Sequence, residues 1–426
     1  MRGLGKIAVM AAVFVSLAGL AEEKNQKSLD LLVAEARNNN PELKAMRDQA
    51  GAAKLKIRES TALDAPQVGV DFYQAPVKSF PNPLDDQMEI DYFIQQSFPY
   101  PGKLYAGRNS AKSFSGMAEQ EYRAKELEII MELKMAFYQL YFVQRELEIN
   151  FENRKLMQGF VEIARRQYEV GMVNQADFLR GQTELALLIK QSIELEQEKA
   201  VIEAKLDRLL GRKGETEYGR IEAVESEIPD WSFDRLEPIA KNNNPELKMQ
   251  EYRVSMNQSE LSLARMNFAP ELMVQGMYKD MQETDRDFWS LMLGVTLPIA
   301  PWSSQKYAGK LKESRYYLSK SESEYAAAEN LVRADLRASL ARIQANRKLS
   351  DLYQDSLIPQ AEQTLRSTIS AYQTGKTEFL VALDAYRMVL TARVDYEMAI
   401  MNYMSGQAEL EKAVGLEIEE IKGVIK

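Results

Sequence analysis

The sequence predicts a mainly helical protein that is built from two tandem halves, each with one β-hairpin and one long pair of helices. Three observations support this prediction. The segment NNNPELK occurs twice, at residues 38–44 and 242–248. Long, almost proline-free stretches carry apolar residues at heptad spacing. Shorter segments between them alternate apolar and polar residues, which is typical of strands.

The duplication extends well beyond the NNNPELK segment. Tyr168 and Gly171 recur as Tyr372 and Gly375, each 204 positions later. Repeats of 20–50 residues indicate solenoids, whereas this period is far longer. We therefore predict a duplicated domain half rather than an array of small repeats.

The N-terminus resembles a secretory signal peptide, which we assign to residues 1–21. Arg2 and Lys6 precede a short apolar run that ends in small residues. An uncleaved membrane anchor is the alternative. The two structural repeats are then residues 22–228 and 229–426, and the mature protein is expected to be exported.

Each repeat is expected to contain a long pair of helices, over about residues 103–211 and 304–414. The first helix of each pair ends near Gly171 or Gly375, since glycine past a helix end adopts the left-handed conformation cheaply. A helix over residues 103–170 would be about 100 Å long, which suits a rod or tube rather than a globule. Pro359 predicts a local kink or boundary in the second half. The apolar seam of the first helix comprises Ile129, Leu133, Ala136, Leu140, Val143 and Leu147. The seam of the corresponding helix in the second half comprises Leu311, Leu318, Tyr325 and Val332, each seven apart.

The predicted hairpins lie at about residues 66–98 and 270–298. Their strands alternate over about ten residues, as transmembrane β-strands do. Four strands cannot close a sheet, and an open edge cannot face lipid, so several chains would have to pool their strands. Two ordinary surface hairpins remain the alternative.

Composition excludes several function classes. The 426 residues carry a net charge of −9 and contain neither cysteine nor histidine. Proteins that bind nucleic acids carry basic patches, whereas this chain is acidic, so no nucleic-acid partner is expected. Without histidine or cysteine, the commonest general base and thiolate chemistry are absent, and we predict no enzyme activity, cofactor or metal site. The 20 methionines are interpreted as packing residues, with copper(I) contact as the alternative.

The NPEL turn opening each half, the YxxG turn after each long helix and the paired hairpins resemble the TolC-type outer-membrane efflux proteins. Residues 97–103, SFPYPGK, resemble the heavy-metal efflux branch. The resemblance implies a mostly α fold with a β-barrel part. Three chains would each supply four transmembrane β-strands and long coiled-coil helices that form an α-helical barrel. The implied location is the outer membrane of a Gram-negative bacterium, with a long periplasmic extension.

The same resemblance implies a function and partners. The homotrimer would be the passive exit channel of a tripartite efflux pump, exporting small toxic solutes such as drugs or metal ions. Its partners would be a periplasmic adaptor (membrane fusion) protein, an RND-type inner-membrane transporter and outer-membrane lipid.

Carried over by position, the resemblance also implies two sets of site residues. The tip turns and adaptor contacts would be Val170, Gly171, Met172, Thr374, Gly375 and Lys376. The periplasmic gate would comprise Asp177, Tyr372, Thr377, Val381 and Asp384. In this resemblance Asp177 would help to tie neighbouring helices shut. Thr377 stands where the best-known pattern has an arginine, and Val381 where it has a second aspartate. A ring of Asp384 carboxylates would favour cations, although solvated helix-face carboxylates are the simpler interpretation of Asp177 and Asp384.

Two rival functions remain open on the sequence alone. A secreted periplasmic coiled-coil scaffold would explain the heptads and the signal peptide, but not the four alternating segments. A carboxylate-based hydrolase would need a spaced acid pair in a pocket, which the long helices leave little room to form.

Overall fold

The computed structural model describes residues 29–73, 75–84, 89–171, 174–214, 216–221, 231–281, 286–298 and 300–425. The predicted signal peptide and the predicted contact residue Met172 lie outside this part. The chain divides into two compact units. The helical unit comprises the described residues of Met1–Ala45, Arg123–Asn244 and Asn330–Lys426, and the sheet unit those of Met46–Tyr122 and Pro245–Glu329.

Helices and strands follow the same order in both halves. The first half contains α1 (helical residues 29–39), α2 (Pro41–Glu59), β1 (Gln67–Tyr73), β2 (Glu89–Phe98), α3 (Pro101–Glu169) and α4 (Gln175–Leu210). The second half contains α5 (Phe233–Asn243), α6 (Pro245–Met266), β3 (Glu271–Met281), β4 (Phe288–Thr296), α7 (Pro301–Leu352), α8 (Ile358–Gln373), α9 (Phe379–Val414) and α10 (Ile418–Ile425). The predicted duplicated, mainly helical fold with four strands is confirmed.

The four strands form one antiparallel sheet in the order β1-β2-β3-β4. Pairing of β2 with β3 joins the two hairpins, which the sequence did not predict. Because side chains alternate across a strand, one face is almost entirely apolar. The large exposed side chains on that face include Val68, Val70, Tyr92, Ile94, Leu272, Tyr278, Trp289, Leu291, Leu293 and Val295.

The heptad seam of α3 is buried except at Leu147, which is half-buried, whereas the seam predicted in α7 is only partly buried. Ile129, Leu133, Ala136, Leu140 and Val143 are all buried. In the sheet-unit part of α7 the predicted apolar positions are half-buried, and serines at heptad spacing are buried instead. Each serine hydroxyl donates back to a carbonyl of its own helix, so no polar group is stranded. The half-buried residues are Leu311, Leu318 and Tyr325, and the buried serines are Ser314 and Ser321.

The predicted interruption at Pro359 is confirmed. The helix widens into a π turn over Tyr353–Leu357, and α8 starts at Ile358 with the proline in its first turn. Proline lacks the N–H that would continue the α-helical ladder, and a π turn absorbs the mismatch.

The twin NNNPELK segments tie helix ends together within the helical unit. Asn40 Oδ1 accepts hydrogen bonds from the N–H groups of Glu42 (2.8 Å) and Leu43 (3.1 Å) at the start of α2. Its Nδ2 donates to the carbonyl of Leu209 (2.8 Å) at the end of α4. Asn244 donates likewise to the carbonyl of Ala413 (2.9 Å) at the end of α9. One amide thus satisfies unpaired groups at a helix end in each half.

Candidate functional site

Two glycine turns connect α3 to α4 and α8 to α9 in the helical unit. Gly171 and Gly375 have φ of +74° and +67°, a conformation that only glycine adopts cheaply. Their N–H groups donate to the carbonyls of Tyr168 (2.9 Å) and Tyr372 (3.0 Å). These bonds close each turn, as is common at helix C-termini.

The predicted tip residues that the structure describes are exposed on these turns. Val170 is 70% exposed, and the side chains of Thr374 and Lys376 are also exposed. These described side chains are open to solvent, and their contact with an adaptor protein stays a prediction.

A cleft of about 940 Å³ lies beside the second turn. Its lining includes Asp177 and Arg180 from the start of α4, together with Tyr372, Thr377 and Phe379. The structure therefore brings together three of the five predicted gate residues, which are Asp177, Tyr372 and Thr377.

The other two predicted gate residues lie apart from this cleft, on the exposed side of α9. Val381 is 49% exposed, and Asp384 is exposed one helical turn further along. Their side chains are available to a neighbouring molecule rather than to the cleft.

Tyr372 belongs to the buried cluster in which α3, α4, α8 and α9 pack together. Its side chain is 1% exposed and packs edge-on against Phe379, with ring centroids 5.7 Å apart. Gln167 Nε2 donates to its backbone carbonyl at 3.3 Å. The hydroxyl is buried and has no hydrogen-bond partner among the described residues. Burial raises the pKa of the Tyr372 phenol to about 12, and the nearby Asp177 carboxylate adds to the shift, so the phenol is neutral at physiological pH.

The equivalent tyrosine of the first half behaves differently. Tyr168 is 43% exposed. Tyr372 packs on Phe379, whereas the position equivalent to Phe379 in the first half is Gln175. The two YxxG turns therefore match in backbone but not in packing, because among the described residues only the second tyrosine has an aromatic partner.

Asp177 lies in the first turn of α4, a position that favours a carboxylate because the helix N-terminus carries partial positive charge. Asn174 caps the helix by accepting from the Ala176 N–H at 2.9 Å. The Asp177 side chain is 18% exposed and lies 3.8 Å from Arg180. That pair lies within one helix, and a tie from Asp177 to a neighbouring helix stays a prediction.

A tie between α4 and α9 is formed by Glu184 and Arg387, which no sequence pattern marked. Arg387 of α9 donates two hydrogen bonds to the Glu184 carboxylate of α4, from Nε at 3.1 Å and from Nη2 at 2.6 Å. Glu184 is 7% exposed. This hydrogen bond and charge raise the pKa of the Arg387 guanidinium. Neither residue carries a motif, because pairing between helices depends on tertiary register.

Substituting Tyr372 with phenylalanine is expected to leave the stability unchanged or raise it by about 1 kcal/mol. Removing a buried hydroxyl that lacks a partner relieves its desolvation penalty. Thermal unfolding followed by circular dichroism measures the effect. Tyr386→Phe is the matched control, because its hydroxyl donates to the Asn153 carbonyl at 3.1 Å and its loss should destabilise. Equal destabilisation by both variants would show that the Tyr372 hydroxyl has a partner.

Neither a metal centre nor a helical membrane span is found in the described residues. No group of three or more acidic side chains there could hold a metal ion. None of the described helices combines the length and apolarity that crossing a bilayer requires.

Comparisons with known proteins agree with this architecture. The family model described as "Outer membrane efflux protein" matches residues 32–212 and 237–416, once in each half. The outer membrane protein TolC of Vibrio cholerae is 19% identical over 418 residues, covering 95% of this chain and 94% of that protein. The cobalt-zinc-cadmium resistance protein CzcC of Cupriavidus metallidurans is 19% identical over 297 residues, covering 69% of each.

The fold is shared with solved structures as well. The outer-membrane channel OprN matches with a TM-score of 0.80 at 16% identity, covering 92% of this chain and 91% of that chain. Similarity at this level of identity establishes the fold, while the family model, which matches most of the chain, establishes membership. The chain therefore belongs to the outer membrane efflux protein family and is an outer-membrane protein.

Proposed function

We propose that the chain is the outer-membrane exit channel of a tripartite efflux pump, a passive duct that performs no chemistry. The observation that carries the proposal is the four-stranded sheet. One of its faces is apolar and exposed, with Trp289, Val68 and Leu293 at 79%, 77% and 65% exposure. Such a face suits lipid, and strands that alternate with polar residues suit the wall of an aqueous pore.

The assembly that we propose is a homotrimer. Strands β1 and β4 are the edges of the sheet, and an open edge in lipid would leave backbone groups without hydrogen bonds. Three copies would pool twelve strands and close the sheet if β4 of each copy paired with β1 of the next. The long helices of the three copies would together surround a periplasmic tunnel.

The proposed partners follow from the two ends of such a tunnel. A periplasmic adaptor would contact the exposed glycine turns, and an RND-type inner-membrane transporter would supply the energy. The cargo class is small toxic solutes, either drugs or metal ions. The metal alternative is supported by CzcC, which is named for cobalt, zinc and cadmium resistance, and by the SFPYPGK segment.

The proposed gate has two layers at the helix tips. Asp177, Tyr372 and Thr377 line the cleft beside the second turn. Val381 and Asp384 lie on the exposed side of α9, where three copies would bring their side chains towards a common axis. A ring of Asp384 carboxylates would attract cations and repel itself when closed.

Asp384→Ala and Asp177→Ala are expected to change single-channel conductance or cation preference in planar bilayers. Asp384→Ala should have the larger effect, because it would remove one charge from each copy in the ring. Asp335→Ala on α7 is the matched control, since Asp335 is also an exposed helix carboxylate. Unchanged currents in both tip variants would remove these residues from the gate.

Cell fractionation with cross-linking tests the proposed assembly. We expect the protein in the outer-membrane fraction, with a cross-linked band at three times the monomer mass. Recovery of the protein from the soluble periplasm would contradict the proposal and favour a secreted coiled-coil scaffold.

A further inference from the structure

The polar face of the sheet carries its charged side chains at the hairpin-loop ends of the strands, apart from Glu271, which pairs with Lys103 at the other end. In the strand register, Asp71 lies opposite Asp91, and Asp91 lies opposite Lys279. Glu89 is two residues from Asp91 on the same strand and therefore points to the same face. Four charged residues from three strands thus form one group, here called the acidic row: Asp71, Glu89, Asp91 and Lys279.

The single ammonium of the acidic row does not neutralise its carboxylates. Lys279 Nζ lies 2.6 Å from Glu89 Oε1 and 3.3 Å from Asp91 Oδ2. Asp71 is exposed on the adjacent strand. Three carboxylates face one ammonium, so the row keeps a net negative charge.

Asp91 is only partly satisfied by its neighbours. The residue is 3% exposed, yet its Oδ1 has no hydrogen-bond partner among the described residues. A buried carboxylate oxygen without a partner is destabilising. A cation near the row would offset this cost through its electrostatic attraction to the carboxylate.

The rest of the polar face is uncharged along the middle of the strands. The next row across the sheet contains Gly69, Phe93, Met277 and Ser290, and the row after it contains Gln67, Gln95, Gln275 and Met292. The negative charge is therefore concentrated at the loop end, which makes the acidic row a local feature rather than part of a generally charged wall.

We propose that the acidic row is a cation filter at the outer mouth of the channel, in which the exposed Asp71 carboxylate contacts small cations in transit and the buried Asp91 carboxylate adds to the negative potential. The inference rests on the proposed function, because this face lines a pore only if the sheet closes. The filter is separate from Asp384, which belongs to the helical unit. Rings of carboxylates favour cations because they hold a negative potential in a confined space.

The acidic row contains both signs of charge, so two substitutions are expected to change the permeability ratio in opposite directions. Asp71→Asn with Asp91→Asn leaves the close Glu89–Lys279 pair and makes the row neutral. We expect this double variant to lower the ratio of potassium to chloride permeability by about threefold or more. Lys279→Gln removes the only positive charge, and it should raise the same ratio.

Reversal potentials in a potassium chloride gradient, measured in planar bilayers, provide the readout. The gradient should span about 0.1 M, where the Debye length is about 10 Å and charges act across a pore. Asp280→Asn is the matched control, because Asp280 adjoins Lys279 in β3 but points to the opposite face. We expect its permeability ratio to equal that of the wild type.

Two outcomes would overturn the inference while the channel function stands. One is a double variant that conducts normally with an unchanged permeability ratio. The other is a shift of the same sign in the double variant and Lys279→Gln, which would indicate general distortion of the sheet. Absence of any current from both the wild-type protein and Asp384→Ala would instead overturn the proposed function, and the filter with it.

Discussion

Replacing Gly211 with alanine is expected to lower the free energy of unfolding by about 3 kcal/mol. Gly211 ends α4 with φ of +71°, where a Cβ alone strains the backbone by about 1 kcal/mol. The added Cβ would also lie 2.6 Å from the carbonyl oxygen of Asn39. That oxygen cannot retreat freely, because the next residue, Asn40, bonds to the Leu209 carbonyl.

The other glycines of the chain provide a graded set of controls. Gly159→Ala lies within α3 with open space around it, so it should be neutral or slightly stabilising. Gly171→Ala has φ of +74° but also open space, so it should show the strain of about 1 kcal/mol alone. Gly415→Ala should resemble Gly211→Ala, since its Cβ would lie 2.7 Å from the Asn243 carbonyl oxygen.

Urea unfolding followed by circular dichroism measures this series. We expect Gly159→Ala to have the highest free energy of unfolding and Gly171→Ala the next. Gly211→Ala and Gly415→Ala should have the lowest values. If Gly211→Ala were as stable as Gly171→Ala or more so, the NNNPELK segment would not pack closely against the end of α4, contrary to the structure.

Replacing Arg387 with methionine is expected to cost about 2 kcal/mol of stability. The change leaves the buried Glu184 carboxylate without its partner, and breaking such a pair costs about 3–5 kcal/mol when both groups are buried. The Arg387 side chain is 50% exposed, so solvent screening lowers the expected value. Loss of this tie between α4 and α9 is also expected to raise single-channel conductance, because the gate helices could then separate more easily.

A double-mutant cycle measures the interaction energy between Glu184 and Arg387 apart from the effect of each single substitution. Glu184→Leu combined with Arg387→Met should be markedly more stable than the sum of the single effects predicts, since both charges are removed together. Arg366→Met is the matched control, because Arg366 pairs with Glu362 within one helix while its side chain is 69% exposed. Additive effects of Glu184 and Arg387, with unchanged conductance, would show that the pair does not hold the helices together.

Much of the fold can be predicted from local patterns. The glycine turns were predictable because left-handed backbone favours one residue type, and the interruption near Pro359 because proline lacks an N–H. The strands followed from strict alternation. The identical NNNPELK segments predicted duplication, although their role required the structure. A side-chain amide that joins Asn40 to Leu209 depends on residues 169 positions apart.

The parts that the sequence did not reveal depend on tertiary contacts. Pairing of β2 with β3 joins strands that lie far apart in the chain. The ion pair of Glu184 and Arg387 joins α4 to α9, and no local pattern predicts it because the packing of the two helices decides which charges meet. The burial of Tyr372 has a readable signal: Phe379 stands where the first half has Gln175.

Single-channel recording of the purified wild-type protein in planar bilayers tests the central claim most directly. A trimeric exit channel should insert and give discrete conductance steps that persist without any added transporter or energy source, because the duct is passive. Protein that is folded by circular dichroism and inserted in the bilayer, yet gives no conductance steps even with Asp384→Ala at the proposed gate, would contradict the assignment as an efflux channel.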